Sequence, residues 1–144
     1  MGESLGVTAS LGVLAEVRAF VRSAVGGLGA DERTVSALVQ CVDEWVTNVV
    51  VHGYGETPGP VSVTARRDGD DIVVVVRDEA PAYDPATAPS FDRDAPLERR
   101  PFGGMGIALI RDLCASFEHR APTGATPGVG NEVTMRRAAL TGGA

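Results

Sequence analysis

The sequence predicts an α+β fold, a two-layer sandwich in which a mixed, mostly antiparallel sheet carries its helices on one face. Three observations lead there. Two neighbouring stretches repeat apolar residues at helical spacing: Leu14, Val17, Val21, Ala24, Val25 and Leu28, then Val35, Leu38, Val39, Val42, Val46, Val49 and Val50. Val61, Val63 and Ala65 alternate with polar residues, and after a tight turn at Asp68-Gly69 the chain resumes as the apolar run Ile72–Val76. A third helical pattern comes late, with two short strand-like runs behind it, so the order reads β-α-α-β-β-α-β-β.

Each element has a local reason. The apolar start from Leu5 to Thr8 supplies the first strand, and Gly26, Gly27 and Gly29 close the first helix. Asp31 suits the N-cap of the second helix, which runs to Gly53, and the Gly/Pro cluster from Gly55 to Pro60 is a loop. Ile72–Val76 has no polar alternation, so that strand is expected to be buried on both faces. Residues 79–102 combine prolines and charges with no period of either kind. A structureless stretch longer than ~15 residues inside a compact domain is uncommon and usually functional, often a lid. Gly103 opens a glycine-rich turn into a helix with Ile107, Leu109, Ile110 and Leu113, and strands follow near Ser116–Arg120 and Glu132–Arg137. Residues 5–137 are thus expected to form one domain, and the small residues 138–144 a frayed tail.

With 144 residues the chain is long enough for one sizeable core. A net charge of −6 argues against direct nucleic-acid binding and against a polybasic membrane patch. All 13 basic residues are Arg. The absence of Lys excludes a P-loop lysine, the strand lysine of protein kinases and Schiff-base chemistry. Cys41 and Cys114 have no pair spacing and read as buried, reduced, structural thiols. No run approaches ~18 apolar residues, and no positive n-region precedes the first apolar run, so a cytoplasmic protein without membrane contact is expected.

Three places hold polar residues that packing does not explain. Glu44, Asn48 and His52 stand four residues apart, each step rotating only about 40° on a helix, so they form one stripe beside the apolar face. A carboxylate can serve as a general base and an amide oxygen can ligate Mg²⁺; a solvated helix edge is the plainer reading of the same spacing. Asp78 follows the buried strand and opens the long loop, where it either accepts a hydrogen bond from a ligand's amino group or starts a turn. Gly103, Gly104, Met105 and Gly106 lead into a helix whose N-terminus favours phosphate, although a glycine cluster is also an ordinary tight turn.

Taken together, Glu44-Trp45-Val46-Thr47-Asn48, Asp78 with Pro81-Ala82-Tyr83-Asp84-Pro85, and Gly103-Gly104-Met105-Gly106-Ile107 resemble the three ATP-binding boxes of the GHKL ATPase superfamily. Within it the sequence is most similar to the small serine-kinase anti-sigma factors of bacteria. The resemblance runs over residues 5–137 and fits the missing lysine, because this superfamily binds ATP without a P-loop.

The resemblance implies a GHKL (Bergerat-type) ATP-binding fold and an ATP-dependent protein serine kinase. Such a protein sequesters a sigma subunit and phosphorylates a STAS-type anti-sigma-factor antagonist; family members are often homodimers. Glu44 would be the catalytic base, and Asn48 would hold Mg²⁺ against the ATP phosphates. Asp78 would accept from the adenine amino group. Gly103, Gly104, Met105 and Gly106 would wrap the phosphates, with Arg99 and Arg100 reaching the γ-phosphate from the lid or, more plainly, standing as a solvated charged pair beside Glu98. Three positions differ from the usual pattern: Ala80 stands for Gly, Tyr83 for Phe, and Asn131 for Thr, with Asn131 expected to bind nucleotide in its place. If position 80 needs a positive φ, Ala there costs roughly 1 kcal/mol or more. The alternative function is a nucleotide-gated binding module without useful kinase activity; Ala80 favours it, while Glu44 and Asn48 favour the enzyme.

Overall fold

The computed structural model describes residues 2–87 and 104–141. It has the strands β1 (Gly2–Thr8), β2 (Pro60–Asp68), β3 (Asp71–Pro81), β4 (Ser116–Arg120) and β5 (Val129–Ala138). The helices are α1 (Leu14–Gly27), α2 (Glu32–Asn48) and α3 (Gly104–Leu113). The predicted order of elements and the α+β class are both found.

The strands form one sheet in the order β1-β2-β3-β5-β4, and every neighbouring pair is antiparallel. A mixed sheet was expected from the order of elements, in which a helix lies between β3 and β4. Those two strands do run the same way, but β5 inserts between them in a split β-α-β arrangement, so no parallel neighbours arise. Side-chain alternation sends one row of each strand toward the helices. Val63, Val76 and Val133 stand opposite one another in register, as do Ala65, Val74 and Met135, and all six are fully buried. They pack on Val17 and Val21 of α1 and on Leu38, Val42 and Val46 of α2. Each such Val or Leu side chain contributes roughly 1.5–3 kcal/mol by leaving water. The opposite face of the sheet carries ion pairs instead, among them Arg77 with Glu132 and Arg136 with Asp68 and Asp71.

Asp31 caps α2 as expected, its carboxylate accepting from the Thr34 N–H at 2.9 Å. Several boundaries differ from the sequence reading. The second helix is α-helical only to Asn48, and Val49–Tyr54 form a π-helical turn. β3 does not stop near Val76 but continues to Pro81, with a bulge between Asp78 and Pro81. Asp78 therefore lies inside a strand, paired with Asn131, rather than at a loop entrance. The expected fraying from Ala138 is corrected as well. Ala138 pairs with Asp71, Ala139 is fully buried, and the Thr141 N–H donates to the Asp31 carboxylate. Cys41 and Cys114 are free thiols, as expected, the first buried and the second half-buried, and their sulfurs approach to 3.6 Å where α2 meets the end of α3.

Candidate active site

Glu44 and Asn48 are one turn apart on α2, both half-buried, and face the first turn of α3. A Cβ built on Gly106 would lie 2.8 Å from Glu44 Oε2 and 3.6 Å from Asn48 Nδ2. The missing side chain is what lets α3 close on that carboxylate and amide. Burial pushes the Glu44 carboxyl above its ordinary value, and the neighbouring Asp43 charge adds to this. Asn48 Nδ2 is buried with no hydrogen-bond partner.

The π-helical turn changes the third member of the predicted stripe. With a wider turn after Asn48, His52 no longer follows at a regular α-helical step. It still lines the same cavity as Asn48, and burial lowers its imidazole pKa. That cavity, about 310 Å³, lies between the π-helical turn and the end of β3, with Gly53, Ala80, Tyr83 and Asn131 also in its walls. A larger cavity of about 770 Å³ lies beneath the 122–126 turn; Asp78 is in its wall, Glu44 and Asn48 are not.

Asp78 is 3% exposed; it lines the larger cavity, and its two hydrogen-bond partners, Ala80 and Asn131, line the smaller one. Its Oδ1 accepts from the Ala80 N–H and from Asn131 Nδ2, each at 2.9 Å. The first bond folds the bulge in β3 back onto the side chain, an Asx-type turn. The neighbouring Glu79 N–H donates to the Tyr54 hydroxyl at 2.6 Å, so both inner N–H groups of the bulge are satisfied by side chains. Asp78 Oδ2 is buried and has no partner. Burial raises the Asp78 pKa, opposed by its bonds to Asn131 and Ala80. Among the described residues, the buried side-chain polar atoms without partners belong to Trp45, Asn48 and Asp78; Trp45 and Asn48 line the smaller cavity and Asp78 adjoins it.

The substitution at position 80 is unstrained, since no described non-glycine residue has a positive φ. Its methyl is accommodated from across the cavity, where a Cβ on Gly53 would lie 2.9 Å from Ala80 Cβ. Asn131 differs from expectation: all its amide bonding capacity is spent within the protein, on Asp78, Pro81, Tyr83 and His119. Gly104 and Met105 open α3, while Arg99, Arg100 and Gly103 lie outside the described residues. The structure thus brings Glu44, Asn48 and Gly106 together and brings Asp78 and Asn131 together; Asn48 and Asn131 line the smaller cavity, and Asp78 lines the larger one behind it. Sequence reading missed His119, Tyr54 and Gly53. His119 was accessible to it, because it stands two residues from Phe117 and so shares that residue's core-facing side.

A family model for the histidine kinase-like ATPase domain matches residues 7–137. An anti-sigma F factor from Shouchella clausii is 30% identical over 113 residues, which are 73% of this chain and 75% of that protein. The serine/threonine-protein kinase BtrW of Bordetella bronchiseptica is 29% identical over 90 residues, 60% of this chain and 62% of its own. Among solved structures, the RsbU and RsbW domains of a Mycobacterium tuberculosis protein superpose with a TM-score of 0.62 at 21% identity, covering 94% of this chain and 32% of that one. A lysine-free cavity set between a Glu/Asn helix, a buried strand aspartate and a glycine-opened helix agrees with these matches: the chain belongs to the histidine kinase-like ATPase domain family.

Proposed function

We propose that this chain is an ATP-dependent protein serine kinase that acts as an anti-sigma factor, binding a sigma subunit and phosphorylating a STAS-type antagonist of the sequestration. The observation that carries the reading is the cavity lined by Asn48 and Asn131, with Asn131 bonded to Asp78, whose buried carboxylate has one acceptor oxygen to spare, and with Glu44 one turn before Asn48. The relatives named as anti-sigma F factors and as serine kinases supply the partner class.

In this reading Asp78 Oδ2 takes the adenine amino group, and Glu44 accepts the proton of the attacking serine hydroxyl. Its raised pKa brings the carboxylate nearer to neutral pH, where a general base is most effective. The N-terminus of α3 faces the phosphates, aided by Gly103, Gly104, Met105 and Gly106, with Arg99 and Arg100 on the γ-phosphate. Mg²⁺ fits the donor set. Asn48 offers one hard oxygen, as suits an ion held chiefly by phosphates and water. When bound, Mg²⁺ offsets phosphate charge. Residues 5–137 act as one ATP-binding domain. A sigma partner implies a cytoplasmic setting, and no described helix is long and apolar enough to cross a membrane. The outer edge of β1, at the end of the sheet, suits a homodimer.

The alternative, a binding module without phosphate transfer, is favoured by Ala80, although the backbone there has no positive φ. Incubation with Mg-ATP and the antagonist encoded beside it, followed by intact-mass measurement, tests the proposal. One added phosphate on an antagonist serine is expected; nucleotide binding without transfer would mean that the module reading holds.

A further inference from the structure

His119 has no part in the chemistry above, yet it is built into the site. On β4 it stands opposite Val133, which puts it diagonal to Asn131 on β5, and Asn131 in turn stands opposite Asp78 on β3. Asn131 Nδ2 donates to Asp78 Oδ1 at 2.9 Å and to the Pro81 carbonyl at 3.2 Å. Its Oδ1 accepts from the Tyr83 N–H at 2.7 Å and lies 2.8 Å from His119 Nε2. An amide oxygen offers only lone pairs, so His119 Nε2 carries the proton and donates. The reverse amide orientation would set NH₂ against the Tyr83 N–H, and would set an oxygen against both Asp78 Oδ1 and the Pro81 carbonyl. The network therefore has one self-consistent arrangement.

We propose that His119 and Asn131 are positioning residues for base specificity: they commit Asp78 Oδ1 to the protein and leave Oδ2 as the one acceptor, selecting a 6-amino purine over a 6-oxo purine. The proposal rests on the reading of Asp78 as the adenine acceptor. A 6-amino group donates to Oδ2, whereas a 6-oxo group presents a lone pair to a buried carboxylate with no donor to offer it. If the grip of Asn131 loosens, the carboxylate can turn and its second oxygen loses its fixed aim. His119 acts one step further out, by completing the bonds of Asn131. The same amide holds the Tyr83 backbone, which walls the cavity, so base selection and cavity shape depend on one side chain.

The test compares the affinity of the full chain for Mg-ATP and for Mg-inosine triphosphate, which has the same phosphates and a 6-oxo base. The wild type should prefer ATP. His119→Phe keeps bulk but removes the donor, and should lower that preference roughly 5- to 10-fold, with the loss on KM for ATP rather than on kcat. His119→Gln returns an N–H donor and should restore it. Asn131→Asp keeps the shape while removing both donors, and should lower the preference at least as far; it carries the test if His119→Phe does not fold. Wild-type preference in both His119→Phe and Asn131→Asp would overturn the proposal, as would equal losses for the two nucleotides. A wild type without preference would instead overturn the reading of Asp78 itself, and this proposal with it.

Discussion

In the proposed site the buried Asp78 carboxylate bears on both stability and base specificity. Its carboxyl is raised above the ordinary value of 3.8 because burial penalises the charge. An acid raised in the folded state binds protons more readily folded than unfolded, so its ionised form costs stability at neutral pH. That cost fades as the pH falls through the raised value toward 3.8. Asp78→Asn should therefore stabilise the protein at pH 7, with a gain that shrinks toward pH 4, as denaturant titrations at both pH values would show. The same change turns the open acceptor into a donor, so the variant should bind ATP less well and inosine triphosphate better. A second residue-scale prediction concerns Gly53 and Ala80. Gly53→Ala would bring two methyl carbons to 2.9 Å and should cost about 1–3 kcal/mol. Adding Ala80→Gly should recover most of it, a coupling that a double-mutant cycle measures.

At the scale of elements, what the sequence revealed depended on which signals were periodic. The hydrophobic stripe of α2 and the alternation in β2 announced themselves because one face of each is buried. The π-helical turn did not, since Val46, Val49 and Val50 continue an apolar pattern across the change of winding. The end of β3 was hidden for a different reason. Arg77 and Glu79 are exposed while Asp78 and Ala80 are buried, so alternation persists but a carboxylate occupies an inward position. No local rule marks an inward Asp as a strand residue when the bonds that hold it come from Asn131, 53 residues away. The C-terminal segment was misjudged likewise, because small residues carry no signal of where they dock. Ala139 donates its N–H to the Asp70 carbonyl and accepts from the Asp31 N–H, each at 2.8 Å, joining the β2–β3 turn to the start of α2. Truncation after Ala138 should therefore lower the melting temperature by roughly 3 °C or more, measurable by calorimetry. An unchanged melting temperature would mean that these contacts contribute nothing.

For the whole molecule, the split β-α-β connection sets α3 beside α2, and the sheet sets Asn131, bonded to Asp78, on the far wall of the smaller cavity. Glu44, Asn48 and Gly106 were legible in the sequence because their spacing and residue types matched a known pattern, although their mutual contact was not. The roles of His119 and Tyr54 were not legible, because they arise from partners on other strands. In the proposed mechanism Glu44 carries the chemistry, while Asp78 and the cavity lined by Asn48 carry binding. Removing a general base costs roughly 10²–10⁴-fold in rate and little in ground-state affinity. The most direct measurement is single-turnover phosphorylation of the purified antagonist by Glu44→Gln, with ATP affinity determined in parallel. Near-wild-type or slightly tighter Mg-ATP binding is expected, with transfer reduced by at least ~100-fold; transfer at the wild-type rate would rule out Glu44 as the base.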